Sequence, residues 1–181
     1  MSWPLTLPAW DDLRFPAQAI NPAGSPAPAT ADPNTGMLSF AGNADNVVAG
    51  VGQIPHSWKH GSDLHPHIHL VFPTANAGKN TRWKLEYQIW PLGGVAAANY
   101  GTYTALTVLT VPNANNVRSH ILAEFDPIPM TGQLGSTCVM WKLSRLAATD
   151  VADDDTNACI LLELDFHYQM DKLGSPVEIP V

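Results

Sequence analysis

Residues 83–90 read Trp83-Lys84-Leu85-Glu86-Tyr87-Gln88-Ile89-Trp90, and this stretch decides the fold class of the chain. Apolar and polar side chains alternate along it with a period of two, as in a strand that has one face against a core and the other against solvent. Residues 102–111 read Thr-Tyr-Thr-Ala-Leu-Thr-Val-Leu-Thr-Val, which is dense in the β-branched residues that strands favour. Both stretches predict β-strands.

Similar runs continue on both sides of these two stretches. They cover residues 37–41, 46–54, 64–72, 117–125, 137–146 and 158–169. Turn sequences such as Gly93-Gly94 and Pro112-Asn113 separate them. About eight strands with intervening turns predict an all-β domain of two antiparallel sheets packed face to face. A jelly roll is the topology we expect, with an immunoglobulin-like sandwich as the alternative.

The first 36 residues have a different character. From Pro4 to Pro33 there are seven prolines, and because proline removes amide donors we expect neither a strand ladder nor a helix of useful length in this segment. The segment also carries large apolar residues, which a disordered linker would lack: Trp3, Trp10, Leu13, Phe15 and Ile20. We therefore expect residues 1–36 to form an extended arm along a surface of this chain or of a neighbour, with a flexible tail as the alternative, and residues 37–181 to form the sandwich.

Composition and charge narrow the functional classes. Only 14% of the residues are charged, against about a quarter in ordinary globular proteins, and this favours a protein whose surface is covered by others. The net charge is −7 and the nine lysines and arginines are scattered, so a nucleic-acid surface is not expected. No stretch has the roughly 20 apolar residues that span a bilayer. The N-terminus lacks the pattern of a signal peptide, which predicts assembly in a cytoplasm.

Both cysteines, Cys138 and Cys159, lie in apolar runs that read as strands. Buried free thiols are the expectation for such positions. A disulfide between them, or a reactive thiol, is the alternative.

Histidines are concentrated in one segment. Five of the seven lie within residues 56–69, and the last three alternate as His65-Pro66-His67-Ile68-His69. Because alternate residues of a strand share a face, these three histidines should lie on one side of it, with Ile68 and Leu70 facing the core on the other.

Three interpretations of the histidine segment remain open. Neutral imidazoles bind zinc, iron or copper, so His65, His67 and His69 could hold a metal within one chain, with a further ligand from His56, Asp63 or His167. Histidines from several chains could instead meet around a three-fold axis. The third interpretation is a hydrogen-bonded polar surface without an ion. Beyond a zinc or iron ion at these histidines, no cofactor is expected.

The cupin metal motif fits in part. Cupins are jelly rolls whose first motif resembles Gly, five residues, His, one residue and His, followed by Glu three or four residues later. Gly61, His67 and His69 match its opening, but positions 73 and 74 are Pro and Thr, and no later segment matches the second motif. A cupin-like metal-dependent enzyme is therefore the alternative from another class.

Other catalytic patterns are sparse. The sequence contains no Gly-x-Ser-x-Gly, phosphate-loop or dinucleotide fingerprint. The acidic run around 150–155 could bind calcium, but its spacing is more typical of a solvated turn. Glu163, Asp165 and His167 alternate on one strand, and they could serve acid–base chemistry, complete a metal site with the histidine strand, or form a polar contact face.

Three segments resemble a group of uncharacterised tailed-bacteriophage virion proteins. They are the Trp-Asp-Asp-Leu-Arg-Phe-Pro stretch at 10–16, the Gln-Ile-Pro-His-Ser-Trp-Lys-His-Gly-Ser-Asp stretch at 53–63, and His65-Pro66-His67-Ile68-His69. The resemblance covers roughly residues 10–91. It implies a virion component but no named mechanism; small jelly-roll proteins of such phages often decorate the head, and others sit at the neck or in tail fibres. The sparse catalytic patterns predict that the chain is not an enzyme.

From the resemblance and the composition together we expect a homotrimeric head-decoration or cement protein, assembled in the host cytoplasm and located in the virion. A neck, tail or fibre component is the alternative, including a carbohydrate-binding module on a fibre. The expected partners are copies of the chain, the major capsid protein, or neck and tail proteins. The residues predicted to contact them are Trp3, Trp10, Leu13, Phe15, His56 and Trp58.

Overall fold

The computed structural model describes residues 9–20, 22, 30–31, 34, 36–94, 102–113, 117–171 and 173. Within these residues the chain forms eleven strands and a short 3-10 turn, Ala17–Ala19. The strands are β1 (Ala9–Pro16), β2 (Thr30–Ala31), β3 (Leu38–Phe40), β4 (Asn46–Gln53), β5 (His65–Val71), β6 (Asn80–Trp90), β7 (Thr104–Ala105), β8 (Leu109–Pro112), β9 (His120–Glu124), β10 (Cys138–Arg145) and β11 (Cys159–Met170). Among the described residues no helix is long and apolar enough to cross a membrane.

The strands form two antiparallel sheets. One has the order β2-β3-β11-β5-β9, with β1 paired to the same edge of β11 as β3. The other has the order β4-β10-β6, and both β7 and β8 pair with the free edge of β6. The eight strands β3–β6 and β8–β11 are thus ordered β3-β11-β5-β9 and β4-β10-β6-β8, which is a jelly roll. The predicted fold class, an all-β two-sheet sandwich, is confirmed.

The core lies between the sheets, and strand β6 has the predicted alternation. Its inward residues Trp83, Leu85 and Tyr87 are buried, while Lys84 and Glu86 face outward. Apart from Arg145, the largest fully buried side chains are aromatic: Trp58, Trp83, Trp141, Phe40, Phe72 and Phe166. Burial of such aromatic area is the main stabilising contribution in a sandwich of this size.

The N-terminal segment does form a ladder, contrary to the expectation for residues 1–36. Strand β1 pairs with β11 over its whole length, from Ala9 opposite Met170 to Pro16 opposite Glu163. Pro16 ends the strand, and the other prolines of the segment lie outside β1, so they remove no donor from this ladder. The prediction that proline content would prevent pairing is therefore wrong for residues 9–16, which belong to the six-stranded sheet of the sandwich.

The inward side chains of strand β1 pack against a glycine of the facing sheet. A Cβ atom on Gly52 of β4 would lie 2.5 Å from the ring of Phe15 and 3.0 Å from Leu13, so only glycine leaves room for these side chains. The ring of Phe15 also contacts Phe166 of its own sheet and Trp141 of the facing sheet, at centroid distances of 5.4 and 5.1 Å. The inward side chains of β1 therefore pack against the core of this chain.

Aspartates of the acidic run after β10 form ion pairs, one of them with a buried arginine. Arg145 is fully buried and donates to both carboxylate oxygens of Asp153, at 3.0 and 2.8 Å. Asp150 accepts from Arg82 and Asp154 from Lys79, at 2.9 and 3.2 Å. Each of these three carboxylates is paired with a cation of the chain. Both cysteines are free thiols, but only Cys159 is buried as expected, whereas Cys138 is half-buried.

Candidate functional site

The outer face of the six-stranded sheet collects most of the titratable side chains that the sequence singled out. Strands β1, β11, β5 and β9 lie side by side, and their register aligns outward residues in rows across the sheet. We call this surface the histidine face. Its rows are Asp12-His167-His65, Arg14-Asp165-His67-Glu124 and Pro16-Glu163-His69-Leu122.

A β-bulge in β11 determines which side chains of this strand point toward the histidine face. Leu161 pairs with Leu70 and Glu163 with His69, so Leu162 is an extra residue between two consecutive partners. The bulge reverses the inside–outside alternation of β11. As a result Leu164 is buried in the core while Glu163 and Asp165 point outward.

His67, His69 and Asp165 form a compact cluster at the centre of the face. One ligand atom of each residue lies within 4.8 Å of the others, and no other group of at least three His, Cys, Asp or Glu side chains in the described part of the chain meets this condition. Nε2 of His69 is 3.4 Å from Oδ2 of Asp165, and Nε2 of His67 contacts Oδ1 of the same carboxylate. The two imidazole rings are 5.0 Å apart. We call these three residues the His-His-Asp cluster.

The neighbours of the cluster are held by other partners. Nε2 of His167 lies 2.6 Å from Oδ1 of Asp12, and its ring is 4.2 Å from that of His67. Glu163 receives two hydrogen bonds from the guanidinium of Arg14, both of 2.7 Å. These pairs leave Asp165 as the carboxylate that faces the two central histidines.

The pKa values of the two central histidines shift in opposite directions. Burial is the largest influence on His67 and lowers its pKa, but the adjacent Asp165 carboxylate, with smaller contributions from the backbone of His65 and the charge of Asp12, outweighs it and leaves the pKa raised. Burial also lowers the pKa of His69, and His67 and His120 lower it further, so the attraction of Asp165 does not compensate. The lowered pKa favours the neutral form of His69, whereas the raised pKa favours the protonated form of His67.

Two contributors were not identified from the sequence. His120 of β9 lies outside the histidine segment, yet its Nε2 is 2.7 Å from Nδ1 of His69. Asp12 was noted only as part of the N-terminal segment, because its pairing with His167 depends on β1 joining the sheet. The alternation Glu163, Asp165, His167 was the signal that pointed to the second strand of the site.

The predicted metal ligands are separated into two groups. His67 and His69 lie in the cluster. His65 is outside it, exposed, with its ring 5.2 Å from that of Trp10. His167 is beside the cluster but is engaged by Asp12.

The residues predicted to contact partners have different environments. Trp3 lies outside the described residues. Trp10 is 50% exposed, whereas Trp58 is 0% exposed and donates its indole N–H to the carbonyl of Ser62. Nε2 of His56 lies 2.6 Å from the hydroxyl of Ser136. Trp58 therefore belongs to the core of this chain, and the interface prediction is wrong for it. Leu13 and Phe15 are partly buried and pack against that core, so their contact with a partner stays a prediction.

Two shallow depressions border the cluster. One, of about 470 Å³, is lined by Trp10, His65, His67, Glu124, Phe125 and His167. The other, of about 240 Å³, lies over the cluster itself, between Arg14 and Leu122. His65 and His69 therefore border open depressions, whereas His67 and Asp165 are almost entirely covered.

Comparison with known proteins adds little to this geometry. Neither a protein-family profile nor a curated protein matches the chain. Among solved structures it is similar to a cycloisomaltooligosaccharide glucanotransferase of Paenibacillus sp., with 14% identity, a TM-score of 0.46, and coverage of 83% of this chain and 17% of that one. It is also similar to the α-L-arabinofuranosidase MgGH51, with 11% identity, a TM-score of 0.36 and coverage of 89% and 23%.

A third similar structure is the Eiger TNF of S. frugiperda, with 10% identity, a TM-score of 0.31 and coverage of 94% of this chain and 91% of that one. The chain spans only about a sixth and a quarter of the two enzymes. At these identities and TM-scores the three structures support no functional argument.

Proposed function

We propose that this chain is a structural protein of a tailed-phage virion, a homotrimeric head-decoration or cement protein that stabilises the particle through subunit contacts. The supporting observation is that the three segments on which the resemblance rests meet around β11. Residues 10–16 pair with one edge of β11 and residues 65–69 with the other. The loop within 53–63 is tied to its end by a bridge between Trp58 and Met170.

These segments meet at an open surface, the histidine face, and an open surface suits contact with a macromolecule. Trp10 and Leu122 stand at its two edges with 50% and 48% of their surface exposed. Exposed aromatic and aliphatic side chains beside polar groups are typical of protein interfaces. The face also carries acidic groups, histidines and an arginine, so a second copy of the chain can supply complementary partners.

The oligomeric state of the full chain in solution tests this proposal. We expect light scattering coupled to size exclusion to give three times the chain mass of 19.5 kDa. Leu122→Glu places a charge on the histidine face and should shift the trimer to monomer without unfolding the sandwich. Val151→Glu is the matched control, because Val151 is 99% exposed in a turn and should tolerate the charge.

A chain that is monomeric at every concentration, or that remains trimeric with Leu122→Glu, would contradict subunit contact through this face. The virion location has its own test. Antibodies against the chain should label intact particles of the phage that encodes it, at a regular set of positions. Wild-type particles that carry none of the chain would exclude the virion role.

A second candidate, the cupin-like metal-dependent enzyme, is favoured by one observation. The cupin motif requires a glutamate after its histidines, and positions 73 and 74 lack one. Asp165 of the neighbouring strand nevertheless brings a carboxylate to His67 and His69. The depression of about 470 Å³ beside them offers room for a small substrate. Metal-dependent turnover that His67→Ala abolishes, with the melting temperature unchanged, would support this candidate over the structural role.

A further inference from the structure

We infer that the His-His-Asp cluster is a zinc site, in which Nε2 of His67, Nε2 of His69 and one carboxylate oxygen of Asp165 bind the ion. Two imidazoles and one carboxylate form a donor set that zinc accepts readily, whereas calcium and magnesium prefer oxygen donors alone. This inference concerns the chemistry of the face and does not depend on the proposed virion role.

The strongest support is the state of Asp165. The residue is 3% exposed, and its buried Oδ1 atom has a close ion-pair contact with Nε2 of His67 but no well-aligned hydrogen-bond donor. A buried carboxylate oxygen without a donor is unfavourable, and such atoms are rare in folded proteins. A cation between this oxygen and the imidazoles would satisfy it.

The spacing of the three donors fits a tetrahedral ion. Zinc bonds of about 2.0–2.2 Å separate two ligands of a tetrahedron by roughly 3.4 Å. The observed distance from Nε2 of His69 to Oδ2 of Asp165 is 3.4 Å, and all three ligand atoms lie within 4.8 Å of one another. His67, which contacts Oδ1 of Asp165, would turn toward an ion bound through Oδ2 of the same carboxylate.

The positions of the ligands are fixed by the sheet. His67 and His69 are two residues apart on β5, and the antiparallel register sets Asp165 directly opposite His67. The bulge at Leu162 is what turns Asp165 outward. Donors on two hydrogen-bonded strands form a rigid site, as a precise metal centre requires.

A second layer of contacts orients the ligands. When Nδ1 of His69 donates its proton to Nε2 of His120, 2.7 Å away, Nε2 of His69 keeps a lone pair for the ion. The ring of His167, held by Asp12, packs against His67. Arg14 engages both oxygens of Glu163, so that carboxylate does not compete for the ion.

Three protein ligands leave a fourth position, and it faces the depression of about 240 Å³ over the cluster. Water, or a donor from another molecule, can occupy a position of this kind. Zinc sites with three protein ligands commonly keep such an open position, whereas purely structural sites take four.

The inference is tested by titrating zinc into the full chain after a chelator has removed bound metal. A chromogenic zinc chelator competes for the ion and reports the affinity. We expect one zinc ion per chain, with cobalt giving the visible absorption of a tetrahedral complex and calcium and magnesium giving no binding. His69→Gln and Asp165→Asn should weaken zinc at least tenfold. His65→Ala is the matched control, because it removes an adjacent histidine from the same strand and face and should leave the affinity within about twofold.

Because Asp165 is buried, Asp165→Asn could fail to fold, and the partly exposed His69→Gln keeps the test decisive. Absence of stoichiometric zinc binding would overturn the inference. So would several ions per chain whose binding falls equally with His65→Ala and His69→Gln, since that pattern marks adventitious binding to surface histidines. Loss of zinc with the trimer intact would leave the proposed subunit contacts standing.

Discussion

Cys159 begins β11 with its side chain buried in the core, and this position determines its chemistry. Burial raises the pKa of its thiol far above the ordinary value, so the reactive thiolate is scarce at neutral pH. We expect Cys159 to resist alkylation in the folded chain and to react only after unfolding. Cys138, half-buried on the outer face of the other sheet, should react first. Mass spectrometry after timed labelling measures both rates, with Cys138→Ser as the control; rapid native labelling of Cys159 would contradict its burial.

At the level of single residues, the sequence predicted which titratable side chains share a face better than it predicted their neighbours. The alternation of His65, His67 and His69 placed His67 and His69 correctly on one outward face. It could not predict His120 or Asp12 as neighbours, because cross-strand register depends on pairings between distant parts of the chain. For the same reason Trp58 was assigned to an interface: a tryptophan in a loop sequence carries no indication of which core it enters.

Strand β1 is an element with two different faces. Phe15 packs between the sheets, whereas Trp10 on the outward side is half exposed. We expect Phe15→Ala to lower the free energy of unfolding by about 3 kcal/mol, because it removes buried ring contacts and leaves a cavity. Trp10→Ala, on the same strand, should cost less than about 1 kcal/mol. Urea denaturation of the two variants measures both effects, and equal costs would mean that β1 is a loosely attached arm.

The loop between β10 and β11 should make stability depend on pH in the acid range. Burial raises the pKa of Asp155, but hydrogen bonds from Asn76, Asn113 and Asn157 outweigh it and leave the pKa lowered. A carboxyl group whose pKa is lower in the folded chain contributes stability above the ordinary aspartate value of about 3.9. That contribution is lost as the pH falls through the folded pKa. The urea midpoint should therefore fall steeply below about pH 4.

Asp155→Asn separates this effect from general acid denaturation. The variant should be less stable at neutral pH and should lose less stability on acidification, so the two curves converge at low pH. Asp126→Asn, at an exposed residue outside this network, is the control and should follow the wild-type curve. Parallel curves for Asp155→Asn and the wild type would show that the loop contributes no acid dependence.

At the level of elements, the hydrophobic pattern predicted strands more accurately than proline content did. Period-two alternation predicted β6, and apolar runs gave the approximate extent of β4, β5, β10 and β11. Proline content gave the wrong result for β1, because a strand needs donors only where it pairs, and residues 9–15 contain none of the prolines. The bulge at Leu162 was hidden within an uninterrupted run of apolar residues, where alternation gives no information.

For the molecule as a whole, the jelly roll joins the two ends of the described chain. Arg14 and Glu163 pair across 149 residues of sequence. Phe15 docks against Phe166 of one sheet and Trp141 of the other, so β1 has no site until both sheets have formed. Sandwiches dominated by such distant pairings fold in milliseconds to seconds, since loop closure precedes the contacts that stabilise it. Strand β1 should therefore dock after the rate-limiting step.

Stopped-flow folding and unfolding of Phe15→Ala tests this order. A contact that forms after the transition state affects unfolding, so the variant should unfold more than tenfold faster while its folding rate stays within about twofold of the wild type. A slower folding rate that accounts for most of the lost stability would place β1 in the folding nucleus instead. The histidine face needs β1 because Asp12 and Arg14 lie on that strand. If β1 belongs to the folding nucleus, the face is complete as soon as the sandwich forms. If β1 docks late, the His-His-Asp cluster on β5 and β11 forms first and the contacts with β1 follow.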